Sequence, residues 1–156
     1  MNFVKAQKQV VDALLKGNRC GRFNIDEKHI FVTPDGYRGY VFPVSTIVFG
    51  FEKIYEMTPF PVSEIIQDEN ELKLTPDLRI MNEYRKEMCR RLNGKGRSVF
   101  INPKFLECYQ NPKFFQGDDP LGIVVVAEGA KGAYTPVGII LPIRLNDGGS
   151  YYADKD

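Results

Sequence analysis

The sequence is poor in the residues that carry most enzymatic and metal chemistry. It has one histidine, His29, and three cysteines, Cys20, Cys89 and Cys108, with no CxxC or His-x-x-x-His spacing among them. No metal site is therefore expected. An odd number of widely separated cysteines fits free thiols in a reducing compartment better than a disulfide framework. A Ser–His or Cys–His nucleophile pair would have to use His29. That residue falls in a strand pattern beside Lys28, where a surface or half-buried histidine is the simpler reading. Gly129-Ala130-Lys131-Gly132 lacks the eight-residue phosphate-loop pattern and reads as a hairpin turn. Asp118-Asp119, between Gly117 and Pro120, reads as a turn rather than a cation site. No catalytic residue, metal or cofactor is assigned, and the expectation is a protein that is not an enzyme.

Long apolar runs are missing too. A bilayer-spanning helix needs about 20 apolar residues, and the longest run here, residues 122–127, is strand length. The first residues lead straight into a polar amphipathic segment, without an apolar core or a small-residue cleavage site. No secretory signal is expected, and the cytoplasm is the default compartment. The net charge of +1 is too small to decide for or against nucleic acid. Its distribution says more: Arg85, Lys86, Arg90, Arg91, Lys95 and Arg97 crowd one stretch, and Glu64, Asp68, Glu69 and Glu71 another.

What remains is an ordinary globular composition. With 156 residues, 43% apolar and 26% charged, the chain is long enough to bury a core as one domain. Residues 3–16 form the best helix: Val4, Val11, Leu14 and Leu15 recur at helical spacing, and Ala6, Val10 and Ala13 add to the same side. Gly17-Asn18 stops it. Strands are predicted at 22–25, 29–33, 39–42 and 46–51, with turns at Asp26-Glu27 and Pro34-Asp35-Gly36.

Residues 52–70 read as a connection with a short helix near 63–67. Glu71-Leu72-Lys73-Leu74 alternates like a strand, and Thr75-Pro76-Asp77 reads as a turn. Over 78–92 the reading is a strand or turn first, then a helix from about residue 83 carrying Tyr84, Met88 and Leu92, stopped by Asn93-Gly94. A strand follows at 98–101. Asn102-Pro103 then supplies a good N-cap and a tolerated first helical residue, predicting a helix through Tyr109. Strands at 121–127 and 137–145 flank a glycine-rich turn, and residues 146–156 read as a loose tail in which Tyr151-Tyr152 could make a contact. Helix-then-strands thus occurs twice, at 3–51 and at 102–145.

The second unit carries a resemblance. Phe100-Ile101-Asn102-Pro103-Lys104-Phe105-Leu106 is similar to the strand-to-helix junction of the last domain of bacterial DNA polymerase sliding clamps. Asp119-Pro120-Leu121-Gly122-Ile123-Val124-Val125 resembles that domain's penultimate strand. Ile140-Leu141-Pro142-Ile143-Arg144-Leu145 resembles its closing strand, and the three occur in the same order. The resemblance covers about a third of the chain. Clamps of this type have three such domains per chain, and this one has room for one, so a ring would need several copies.

The resemblance implies an α+β fold: a DNA-clamp-like domain over 1–145 in which two helix-plus-antiparallel-strand units, 1–51 and 98–145, pack as helices on a curved sheet. The segment 52–97 would connect them, and 146–156 would be a flexible tail. It implies a peptide-binding pocket at Leu141, Pro142, Ile143 and Arg144. It also implies a DNA-facing surface at Lys5, Lys8, Lys16 and Lys104, though Asp12 and Glu107 dilute both helices. The basic stretch Arg85, Lys86, Arg90, Arg91, Lys95 and Arg97 is the other DNA-binding candidate; a solvated helix face is its plainer reading. The implied partners are duplex DNA, replication proteins carrying a short apolar peptide, and further copies of the chain. The alternative is a standalone protein-interaction module of phage or mobile-element origin with no DNA contact.

Overall fold

A computed structural model describes the backbone of residues 1–82 and 87–143. Helix α1 spans Phe3–Leu15. The Asn2 side chain caps it by accepting from the Lys5 amide at 3.0 Å, and Gly17, at φ 77°, supplies the left-handed residue that ends it. The helix turns its small residues inward: Ala6, Gln7, Val10 and Ala13 are buried. The expected core stripe is corrected here, because Val4 and Leu15 are each 81% exposed. The sheet supplies the bulk beneath α1 through Tyr40 and Phe42, so the helix can approach closely only on its alanine side.

The strands are β1 (Cys20–Asn24), β2 (His29–Thr33), β3 (Arg38–Pro43), β4 (Ile54–Glu56), β5 (Glu71–Asn82), β6 (Glu87–Gly94), β7 (Arg97–Ile101), β8 (Lys113–Gln116), β9 (Val124–Glu128) and β10 (Thr135–Ile140). Among the described residues they form one sheet in the order β4-β1-β2-β3-β10-β9-β8-β5-β6-β7. Two three-stranded blocks, β1-β2-β3 and β8-β9-β10, meet where β3 pairs antiparallel with β10, in the register Gly138↔Tyr40 and Ile139↔Gly39. Outside them, β4 adds in parallel to β1, and β5 adds antiparallel to β8.

Strand alternation sends side chains to two faces. Ile30, Val32, Tyr40, Phe42, Val124 and Val126 face α1. Phe23, Phe31, Val41, Phe115, Val125 and Ile139 face the other way. A strap over residues 57–66, containing the one-turn helix α2 (Val62–Ile65), covers that second face with Val62 and Ile65 buried.

This architecture overturns the α+β, clamp-like expectation of two helices packed on a sheet. Among the described residues one helix is longer than a turn, and the molecule is closer to all-β. The predicted helix after Asn102 begins as expected: Asn102 Oδ1 accepts from the Lys104 amide at 3.0 Å. It is nevertheless only a 3₁₀ turn, Pro103–Leu106. Cys108 and Tyr109 are drawn into the core immediately after it, and Pro112 stops any continuation. Only eight residues separate the two prolines, so a helix there would be too short to hold without tertiary packing.

The predicted helix from residue 83 fails as well. Residues 83–86 lie outside the described residues, and 87–94 are β6, laddered to both β5 and β7. Thr75-Pro76-Asp77 is an irregularity inside β5 rather than a turn. The register jumps from Leu74↔Leu92 to Leu78↔Arg90, and a bulge is where a strand tolerates a proline that cannot donate. Residues 46–51 form no strand; a 3₁₀ turn occupies Val44–Thr46. The short strands β4 and β8 were not foreseen. The segment 52–97 is therefore part of the same sheet, contributing β4, β5 and β6 outright.

Two glycines set the closeness of packing at the β3–β10 seam. On the α1 side, Tyr109 lies over Gly138 and its Oη donates to the Gly39 carbonyl at 3.4 Å. A Cβ at Gly138 would fall 1.8 Å from the Tyr109 Oη and 2.8 Å from the Gly39 carbonyl oxygen. On the other side, a Cβ at Gly39 would fall 2.3 Å from the Phe31 ring. Overpacking a core of this kind costs roughly 1–3 kcal/mol. Gly138→Ala should lower the unfolding free energy by about that amount in urea titrations, whereas Gly138→Ala combined with Tyr109→Phe, which removes the intruding hydroxyl, should recover part of it.

Candidate functional site

The strap leaves an opening at one end of the second face. Phe31 and Ile139 form the floor of an apolar cleft of about 170 Å³. Met57 and Phe60 of the strap wall one side; Thr33, Gly36, Tyr37, Arg38, Leu121 and Leu141 complete it. The hollow exists because Gly39 lets the Phe31 ring lie flat on the sheet. The rim is apolar and accessible, with Tyr37 65% and Leu121 47% exposed.

Both rim loops are rigidly pinned. In the Pro34-Asp35-Gly36 turn, Thr33 Oγ1 accepts from the Gly36 amide at 2.8 Å, and Asp35 Oδ1 accepts from the amides of Tyr37 at 2.9 Å and Arg38 at 3.2 Å. Gly36 takes φ 81° there. The Asp118-Asp119 turn works similarly. Asp119 accepts from the Leu121 amide at 2.8 Å and the Ile123 amide at 3.2 Å, and Asp118 pairs with Arg97 at 2.7 Å.

Of the expected peptide pocket, Leu141 lines this cleft, and its amide donates to the Tyr37 carbonyl at 2.8 Å. Pro142 is buried. The Ile143 amide turns to the Phe100 carbonyl at 2.8 Å. Arg144 lies outside the described residues, as does the tail 146–156. Phe31, Tyr37, Met57, Phe60 and Leu121 went unforeseen because they come from four separate segments. Phe60 lies between Pro59 and Pro61 in a segment read only as a connection.

The basic positions are not brought together. Alternation along β6 places Arg90 and Arg91 on opposite faces, opposite Ile101 and Phe100 of β7. Arg90 donates to the Thr75 carbonyl at 3.0 Å. Arg91 donates to Asn93 at 2.7 Å and Ser98 at 3.0 Å. Arg97 donates to the carbonyls of Gln116 and Gly117. Lys5 pairs with Glu107 at 3.3 Å, while Lys8, Lys16, Lys95 and Lys104 are exposed. Arg85 and Lys86 lie outside the described residues. In the acidic stretch, Asp68 reaches Lys131 at 3.9 Å.

His29 pairs with Asp26 at 2.9 Å on the surface. The Lys28 amide and His29 hold the Asp26 carboxyl below its usual range. Tyr40 donates to Gln9 and accepts from Cys108, and burial pushes the Tyr40 and Tyr109 hydroxyls up. Among the described residues there is no group of three His, Cys, Asp or Glu placed to hold a metal ion, and no helix long and apolar enough to cross a membrane. No family model matches the chain, no curated protein matches it in sequence, and no solved structure matches it in fold.

All three cysteines are buried and unpaired, and desolvation raises each thiol above its ordinary range. The thiolate is the reactive form, and a raised pKa keeps the native thiols protonated at pH 8. An aromatic disulfide reagent at that pH should therefore label the folded protein slowly and all three thiols promptly in denaturant, as read by released thiolate absorbance.

Proposed function

We propose that the chain is a non-enzymatic binding protein that holds a short apolar peptide of a partner protein in the cleft bordered by Tyr37, Leu121 and Leu141. The observation that carries this reading is the cleft's lining. Its described residues include no carboxylate, histidine or thiol and consist mostly of Phe, Met, Leu and Ile side chains. About 170 Å³ is also small beside the roughly 300–1,000 Å³ of small-molecule and cofactor sites. Such a hollow suits one or two anchoring side chains of a peptide whose backbone runs over the rim. The sequence resemblance of residues 98–145 to the last domain of bacterial sliding clamps, whose helix-on-sheet fold this chain does not share, suggests replication or repair proteins as the partner class. Three buried free thiols favour the cytoplasm.

Random-peptide display on the full chain tests this reading. Enriched peptides should carry one or two large apolar side chains. Fluorescence anisotropy with such a peptide should show at least about tenfold weaker binding to Leu121→Asp and Leu141→Ala, equivalent to about 1.4 kcal/mol. An absence of enrichment, or enriched peptides indifferent to both substitutions, would rule the cleft out.

A duplex DNA contact is the second reading, supported by the exposed Lys8, Lys16 and Lys104 carried by α1 and the Pro103–Leu106 turn. With three such cations the binding is weak, and its logarithmic salt slope is shallow, roughly −3. Anisotropy with a labelled duplex should detect it at roughly 50 mM salt and lose it by about 200 mM, with Lys104→Glu weakening it. No binding at the lower salt favours the interaction module without DNA.

A further inference from the structure

The outward face of α1 carries a pattern that neither the core nor the cleft uses. Val4, Lys8, Val11 and Leu15 recur at i, i+4, i+7 and i+11 and so form one stripe along the helix, with Asp12 beside it. The buried residues Ala6, Val10 and Ala13 occupy the opposite side. Val4 and Leu15 stand 81% exposed. The neighbouring loop widens the patch. Gln7 donates to the Thr46 carbonyl at 2.7 Å and accepts from the Val48 amide at 2.9 Å, which holds Val48, 85% exposed, against the helix flank. Large apolar side chains this exposed at both ends of one helix face, with Val48 tethered beside it, mark a contact surface rather than scattered surface residues.

We propose that this face pairs with the same face of a second copy, the two α1 helices running antiparallel about a two-fold axis. The order of residues along the stripe selects this occupant. In an antiparallel pair, facing positions have a nearly constant sum of residue numbers. When Val4 meets the partner's Leu15, Lys8 lies opposite the partner's Val11 and one residue along from the partner's Asp12 on the same flank, and by symmetry Asp12 lies beside the partner's Lys8. The apolar ends and the charged middle are satisfied by one register. Lys8 and Asp12 have no ion-pair or hydrogen-bond partner for their side chains among the described residues of their own chain, so both are available. Parallel pairing would set Lys8 against Lys8 and Asp12 against Asp12, and like charges oppose it. The surface is small beside the 20–30 residues a side of a standard interface. The dimer is therefore of the weak, concentration-dependent kind, and it leaves the cleft on the other face of the sheet open.

Sedimentation equilibrium on the full chain from micromolar to near-millimolar protein tests this. The weight-average mass should climb from the 17.8 kDa monomer toward twice that value. Val4→Gln with Leu15→Gln should hold it at the monomer, with the thermal midpoint at low protein concentration unchanged because both positions lie outside the core. Lys8→Glu turns two attractive pairs repulsive and should weaken association about tenfold. Lys8→Glu with Asp12→Lys rebuilds the pairs in reversed polarity and should restore it. A wild-type chain that stays monomeric throughout overturns the proposal. So does a V4Q/L15Q variant that associates like wild type, or a charge reversal that the second substitution fails to rescue. A monomer that instead binds phosphatidylserine vesicles through Val4 and Leu15 overturns it in favour of a lipid surface.

Discussion

The pairing of β3 with β10 holds the rest of the molecule in place. It joins two blocks of three strands into a continuous sheet, and it does so with a glycine on each side of the seam. Gly138 admits Tyr109 on the α1 face, and Gly39 admits Phe31 on the other. The two aromatic rings thus pack against the backbone of the same strand pair from opposite sides. Immediately after the short 3₁₀ turn, Cys108 and Tyr109 are buried in the core on the α1 side, with Tyr109 over this seam. Close packing at the seam is also what flattens Phe31 into the floor of the cleft.

The cleft and the α1 stripe are therefore two outcomes of one arrangement. The strap over residues 57–66 covers most of the second sheet face but stops short of the Tyr37 and Leu121 turns. Both turns are locked by carboxylates that cap backbone amides, Asp35 and Asp119. A rigid apolar rim loses little conformational freedom on binding, which suits capture of a flexible peptide. On the other face, α1 lies close to Tyr40 and Phe42 through Ala6, Val10 and Ala13, with Phe3 and Leu14 packed beside them, and leaves Val4 and Leu15 outward. A peptide cleft on one face and a self-association surface on the other can operate together without competing for the same side chains.

Much of the local structure could be read directly from residues. Helix α1 and its Gly17 stop, the Pro34-Asp35-Gly36 and Asp118-Asp119 turns, and the strands around His29–Thr33 and Arg97–Ile101 follow from short-range patterns. The cleft was legible only at Leu141. The helical reading of β6 failed because Met88 and Leu92 are spaced alike in a helix stripe and on one strand face, and the choice rested on ladders to β5 and β7. The basic stretch lost its single face for the same reason: helix period would gather Arg90 and Arg91 toward one side, and strand period separates them.

By itself the sequence determined where several of the turns fall and that a core could form. Those properties depend on residue type and on neighbours a few positions away. Only the tertiary structure decided which side of α1 is buried, that Asn102-Pro103 opens a single turn, and that Phe31, Phe60, Leu121 and Leu141 share one hollow. These depend on contacts between residues far apart in the chain, above all on two glycines that allow β3 and β10 to be packed from both sides, and no local periodicity encodes that.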